Sequence, residues 1–146
     1  MTTAIVYYSR HHENTLKLLK SIQEVDPSLV LVDVTKEPDF DLSRFDRIGF
    51  ASGIYFSKFA KQIVEYEEKH LPNGKEVFFI YTHGAPVIAF VLHQVKKIAK
   101  KKESKILGSF HSRGYDTYVM KRFGGIAKKH PNEKDFKRLQ KFYQKL

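Results

Sequence analysis

Five short stretches of this chain are apolar almost without interruption, and they constrain its fold more tightly than anything else in the sequence. They run Ala4 to Tyr8, Leu29 to Val34, Ile48 to Ala51, Val77 to Tyr81 and Ile106 to Phe110. Strands that face water on one side alternate apolar with polar residues. Runs that do not alternate suit strands covered on both faces, as in a parallel sheet. Helical patterns separate the runs. Residues 15–25 set Leu16, Leu19, Ile22 and Val25 in one stripe, and residues 58–70 mix Phe59, Ile63 and Tyr66 with charge. Residues 87–102 line up Val87, Val91, Val95 and Ile98. A last helix opens after Pro131, with Asn132 as N-cap and Asp135 three residues on, and carries Phe136, Leu139, Phe142 and Leu146. Strands alternating with helices predict an α/β sandwich of three layers with right-handed crossovers. Pro38 to Arg47 reads as a loop or short turn, and residues 111–130 as a long segment without periodicity, a type that tends to carry function.

Composition narrows the class. The chain has 146 residues, one domain's worth (1–146), and its 12 Phe and 8 Tyr are enough apolar material for a core. It has no cysteine, which excludes disulfides, thiolate metal sites and a cysteine nucleophile. No basic region precedes an apolar stretch at the N-terminus, and the longest apolar run, Ala85 to Leu92, is far short of the ~20 residues of a membrane span. A cytoplasmic protein is expected. The net charge is +10, unevenly placed: residues 1–73 sum to −2 and residues 74–146 to +12. A one-sided field of this kind steers anionic partners.

In an open parallel sheet, ligands bind beyond the carboxyl ends of the strands. Three loops qualify. Ser9, Arg10, His11, His12, Glu13, Asn14 and Thr15 link the first strand to the first helix. Hydroxyls at Ser9 and Thr15, the Asn14 amide and the N–H groups opening a helix are what a phosphate monoester needs. Neither the P-loop nor the G-x-G-x-x-G pattern is present. Ala51, Ser52, Gly53, Ile54, Tyr55 and Phe56 follow the third run. There a glycine admits close approach and two aromatics suit stacking on a flat ring. Tyr81, Thr82, His83, Gly84, Ala85 and Pro86 follow the fourth, with hydroxyl and imidazole donors. One phosphate loop and two ring loops amount to a mononucleotide site. His11 and His12 are adjacent, and adjacent side chains rarely converge on one ion, so no metal is expected.

Four segments resemble a known family: I-V-Y-Y-S-R-H-H-E-N-T at 5–15, D-R-I-G-F-A-S-G-I-Y-F at 46–56, G-S-F-H-S-R-G-Y-D-T at 108–117 and G-G-I-A-K-K-H-P-N-E-K-D at 124–135. In order and along nearly the whole chain, they resemble the short-chain flavodoxins, small flavodoxin-like FMN proteins of bacteria and archaea. The resemblance implies a flavodoxin-like sandwich with a five-stranded parallel sheet in the order 2-1-3-4-5. It implies FMN, with its phosphate on Ser9, Arg10, His11, His12, Asn14 and Thr15. The isoalloxazine would lie between 52–56 and 82–85, with Tyr55 stacking and a carbonyl near Ser52 or Gly53 reaching the flavin N5. The activity implied is electron transfer, by an electron carrier rather than a turnover enzyme.

Two departures bear on that expectation. Position 13 is Glu where such loops usually have Gly, a strain of ~1 kcal/mol if the backbone there needs a positive φ. Flavodoxins are typically acidic, whereas this chain is basic, so an acidic redox partner is expected, nucleic acid is not, and peripheral contact with a membrane stays open. Two alternatives remain. One is a flavodoxin-fold module without flavin that grips an anionic partner through its basic C-terminal half; the other is a quinone-linked oxidase on the same fold, as in the menaquinone-dependent protoporphyrinogen oxidases. Lys96, Lys97, Lys100, Lys101 and Lys102 form either a solvated helix face or part of such a surface. Arg113, with Tyr115, lies beyond the fifth run on the same rim as the site.

Overall fold

The computed structural model describes residues 1–9, 14–84, 90–113 and 131–146. In chain order the elements are β1 (Thr3–Tyr8), α1 (Asn14–Val25), β2 (Val30–Asp33), β3 (Arg47–Tyr55), β4 (Lys58–Phe59), α2 (Lys61–His70), β5 (Glu76–His83), α3 (His93–Lys101), β6 (Lys105–Arg113) and α4 (Glu133–Gln144). The sheet order is β2-β1-β3-β5-β6, and every neighbouring pair on that path is parallel. This is the expected 2-1-3-4-5 order, with β4 added as a short antiparallel partner of β3.

Burial explains why the apolar runs lack alternation. Ala4, Ile5 and Val6 are all fully buried, yet Ala4 and Val6 join one cluster and Ile5 another. Phe78 and Phe79 likewise point to opposite faces. One cluster packs Ile63 and Val64 of α2 and Val95 and Ile98 of α3 against the sheet. The other packs Leu18, Leu19 and Ile22 of α1 and Leu139 and Tyr143 of α4. The sheet is thus the middle of three layers. Gly49 of β3 lies directly beside Phe78 of β5, whose ring covers it: a Cβ there would lie 2.5 Å from that ring.

The α1 stripe is displaced from its predicted position. Thr15, Leu18, Leu19 and Ile22 face the sheet, while Leu16 is half-buried and Val25 is exposed. Steps of three fall short of the 3.6-residue turn, so a stripe of threes spirals off the buried face. The predicted helix over 58–70 begins only at Lys61, because β3 continues past Ala51 and doubles back into β4. α3 begins at His93; Val87 and residues 88–89 of the predicted helix lie outside the described residues. α4 opens as expected. The Asn132 side chain accepts from the Lys134 and Asp135 N–H groups, and the Asp135 carboxylate accepts from the Asn132 N–H at 2.9 Å. Its buried face also holds Tyr143, whose hydroxyl donates to Asp26. Among the described residues no helix is long and apolar enough to cross a membrane.

Candidate functional site

β1 lies between β2 and β3, and the connection leaving β1 through α1 and the one leaving β3 through α2 run in opposite directions over opposite faces, opening a crevice at the carboxyl ends. Tyr8 of β1 is in register with Ser52 of β3, Gly53 with Thr82 of β5, and Thr82 with Ser112 of β6. Four strands therefore bring residues at or near their carboxyl ends to one rim.

α1 begins at that rim. The Ser9 hydroxyl oxygen accepts from the Leu16 N–H at 3.3 Å, fixing the strand's exit to the helix's first turn. Asn14 and Thr15 are buried there. The Thr15 and Thr82 hydroxyls lie 3.3 Å apart, so the helix-opening loop and the β5 loop meet through side chains 67 residues apart. Among the described residues no acidic side chain lies in the first turn of α1. Ser9, Asn14 and Thr15 of the predicted anion loop are thus gathered at one helix start. Arg10, His11 and His12, with Glu13, lie outside the described residues.

The second loop is differently built from its sequence expectation. Residues 51–55 belong to β3, and the chain reverses through Phe56 (φ 51°) and Ser57 (φ 67°) between the paired Tyr55 and Lys58. Two successive positive φ values match the twist of a tight hairpin, a turn normally given to Asn-Gly. A phenylalanine in the left-handed region is unusual and costs roughly 1–2 kcal/mol. Phe56 is 86% exposed. Tyr55 folds back instead: its ring meets Tyr8 edge-on at 6.3 Å, and its hydroxyl lies 3.4 Å from where a Cβ on Gly53 would be. Ile54 is half-buried against the α2–α3 core. Ser52 is fully buried, accepting from the Ala60 N–H at 2.9 Å and donating to the Gly53 carbonyl. That carbonyl is one of the two named from sequence as a ring contact.

At the third loop, Thr82 is buried while His83 and Gly84 are half-buried; Ala85 lies outside the described residues. His83 has a partner that sequence reasoning missed. Its Nε2 lies 3.2 Å from Nδ1 of His111, and the His111 ring stacks on Tyr81 at 5.4 Å and 19°. One proton must sit between the two nitrogens, so both rings cannot be fully protonated while the bond lasts. Burial raises the Tyr81 pKa, keeping its phenol neutral beneath them. Arg113 Nη2 donates to the Gly84 carbonyl at 3.2 Å, tying β6 to the same loop. The signal for His111 was its place one residue past an apolar run in the last parallel strand; its pairing needed the β5–β6 register.

A parallel sheet with hydroxyl, amide and imidazole groups converging on the carboxyl edge beside a helix start defines an α/β protein with a candidate ligand site at that edge. The family model described as a flavodoxin domain matches residues 4–106, and the chain belongs to that family. An uncharacterized protein of Methanocaldococcus jannaschii is 38% identical over 149 aligned residues, covering all of this chain and 98% of that protein. The flavodoxin of Fusobacterium nucleatum bound to flavin mononucleotide has a TM-score of 0.66 at 13% identity, covering 99% of this chain and 96% of that one. Oxidised flavodoxin 1 of Bacillus cereus also has a TM-score of 0.66, at 9% identity, covering 97% and 94%. At those identities the likeness is one of fold.

Proposed function

We propose that this protein binds FMN at the carboxyl edge of the sheet and acts in electron transfer. The observation that carries the reading is the Thr15–Thr82 contact, which brings the anion loop and a ring loop into one pocket wall. The Fusobacterium nucleatum neighbour, solved with flavin mononucleotide, supports the choice of ligand. The donor set fits: Ser9, Asn14, Thr15 and the N–H groups of α1 suit a phosphate monoester dianion.

When bound, the flavin would supply one- and two-electron redox chemistry. The chain's own residues hold and shield it. Ser9 keeps the α1 N–H groups turned toward the phosphate. The hairpin carrying Tyr55 and Phe56 offers aromatic surface from one side, and the 82–84 segment offers donors from the other.

The test is an absorbance and fluorescence titration of the purified protein with FMN, with riboflavin in parallel. Tight FMN binding with quenched fluorescence and much weaker riboflavin binding is the expected result. Equal affinity for the two would remove the phosphate from the 9–15 loop. No binding of either would leave the fold without its cofactor.

A further inference from the structure

The solvent face of α3 carries a charge pattern that flavin binding does not use. Lys97, Lys100 and Lys101 are exposed and Lys96 is half-exposed, while Val95, Ile98 and Ala99 turn to the sheet. At 100° per residue the four lysines, with His93 and Gln94, occupy the whole outward arc of a helix about 13 Å long. Lys96–Lys100 and Lys97–Lys101 are like-charged pairs four residues apart, which cost helix stability. No ion pair among the described residues involves any of these lysines. The helix holds no acidic residue; Glu103 follows only after its end.

A second, independent feature adjoins the first. Phe90, just before the N-cap Leu92, is 77% exposed, and its carbonyl accepts from the His93 N–H at 3.1 Å. A large apolar side chain in water beside a lysine face is the pairing that binds an anionic bilayer. The ring enters the headgroup boundary while the ammonium groups meet lipid phosphates. α4 makes the contrast. Lys134, Lys137 and Lys141 are also exposed there, but Glu133 and Asp135 share its first turn and Arg138 is held by Asp135 and the Phe110 ring. The four outward charges of α3 are lysines, with no arginine fork for bases and no exposed Phe, Tyr or Trp within the helix for stacking.

We infer that α3 and Phe90 form a docking surface for an anionic lipid bilayer. The surface is peripheral, held by charge with one apolar anchor, and does not depend on flavin. Because α3 follows β5, its N-terminal end and Phe90 lie toward the carboxyl edge of the sheet, so docking sets the candidate site close to the membrane surface.

Flotation of the full chain with phosphatidylcholine vesicles, with and without about one-third phosphatidylglycerol, tests this at low salt and near-physiological salt. Anionic vesicles should be bound and neutral ones ignored, with affinity falling as salt rises. Replacing Lys96, Lys97, Lys100 and Lys101 with Gln should lower the partition coefficient at low salt by roughly a thousandfold. Phe90→Ser should lower it about fivefold. Replacing Lys134, Lys137, Lys141 and the C-cap Lys145 with Gln removes the same charge from α4 and its C-cap and should cost far less. Equal losses from the two sets would overturn the assignment to α3. Failure to bind anionic vesicles at low salt would overturn it too. So would capture by duplex DNA or polyglutamate with vesicles ignored, in favour of nucleic acid or an acidic protein. Titration of the same samples with FMN keeps the two readings separate, since vesicle binding should be equal with and without flavin.

Discussion

The two edges of the sheet are held together by different mixtures of bond. At the amino edge, backbone ties stand beside side-chain ones such as Thr2 N–H to the Asp46 carboxylate at 3.0 Å and Lys75 Nζ to the Ser43 carbonyl at 2.7 Å. The Asp46 and Arg47 N–H groups both donate to the Thr2 carbonyl at 3.1 Å, Gly74 N–H to the Lys102 carbonyl at 2.9 Å, and Lys105 N–H to the Lys75 carbonyl at 2.9 Å. At the carboxyl edge the ties run through side chains: Thr15 to Thr82, His83 to His111, Arg113 to the Gly84 carbonyl. Backbone ties are indifferent to which side chains stand there. Side-chain hydroxyls and imidazoles can exchange such a tie for a bond to a ligand. On the proposed reading the carboxyl edge is the one that binds, and substitutions should sort the same way.

The largest effect belongs to Glu67. It lies on the buried face of α2, toward the amino edge, with both carboxylate oxygens unpartnered among the described residues. Burial, with a smaller push from Glu68, raises its pKa to about 9. The carboxyl is neutral in the fold and ionised in the unfolded chain, so the native state holds the extra proton. Stability is therefore full below the unfolded pKa of 4.5 and is lost as pH rises toward about 9. The slope in that window should approach 1.4 kcal/mol per pH unit, roughly one proton's worth. Denaturant melts across the window should show that fall, and Glu67→Gln should flatten it with FMN affinity unchanged. Melts that are already flat would mean the carboxylate is charged in the fold.

Gly49→Ala comes next. Its Cβ would lie 2.5 Å and 2.6 Å from Phe78 ring atoms and 3.1 Å from Ile5, inside a packed core. A loss of about 2 kcal/mol is expected by denaturant titration, with the folded fraction still binding FMN. The opposite profile is expected at the binding edge. Ser9→Ala with Thr15→Ala should weaken FMN about tenfold while riboflavin affinity holds, since two hydroxyl donors to the phosphate are lost. If riboflavin fell in parallel, the pair would be supporting the ring or the fold instead. The smallest change is Asn132→Ala, which removes the acceptor for the Lys134 and Asp135 N–H groups. It should cost about 1 kcal/mol of stability and leave FMN binding alone.

Much of the architecture was legible because it rests on short-range pattern. Apolar runs without alternation imply burial on both faces, and Ala4, Ile5 and Val6 bear that out in both clusters. Asn132 and Asp135 announced the α4 cap, because a capping box is closed within three residues. Even Glu67 had a signal, four residues after Ile63 and three after Val64 on the buried face. The hairpin was hidden by its own composition. Phe-Ser is not turn chemistry, and only the pairing of Tyr55 with Lys58 imposes the two positive φ values.

Local periodicity and composition by themselves determined that this chain forms a parallel sheet between helices, where α4 starts, and that its second half is strongly basic. Tertiary structure alone decided which side chains share the rim. Thr15 meets Thr82 across 67 residues, His83 meets His111 across 28, and Tyr55 turns onto Tyr8 while Phe56 stays in water. The physical reason is register. A strand's pattern states which faces are buried, but only hydrogen bonding to its neighbours sets which residue stands beside which. Binding sites are made of those neighbours.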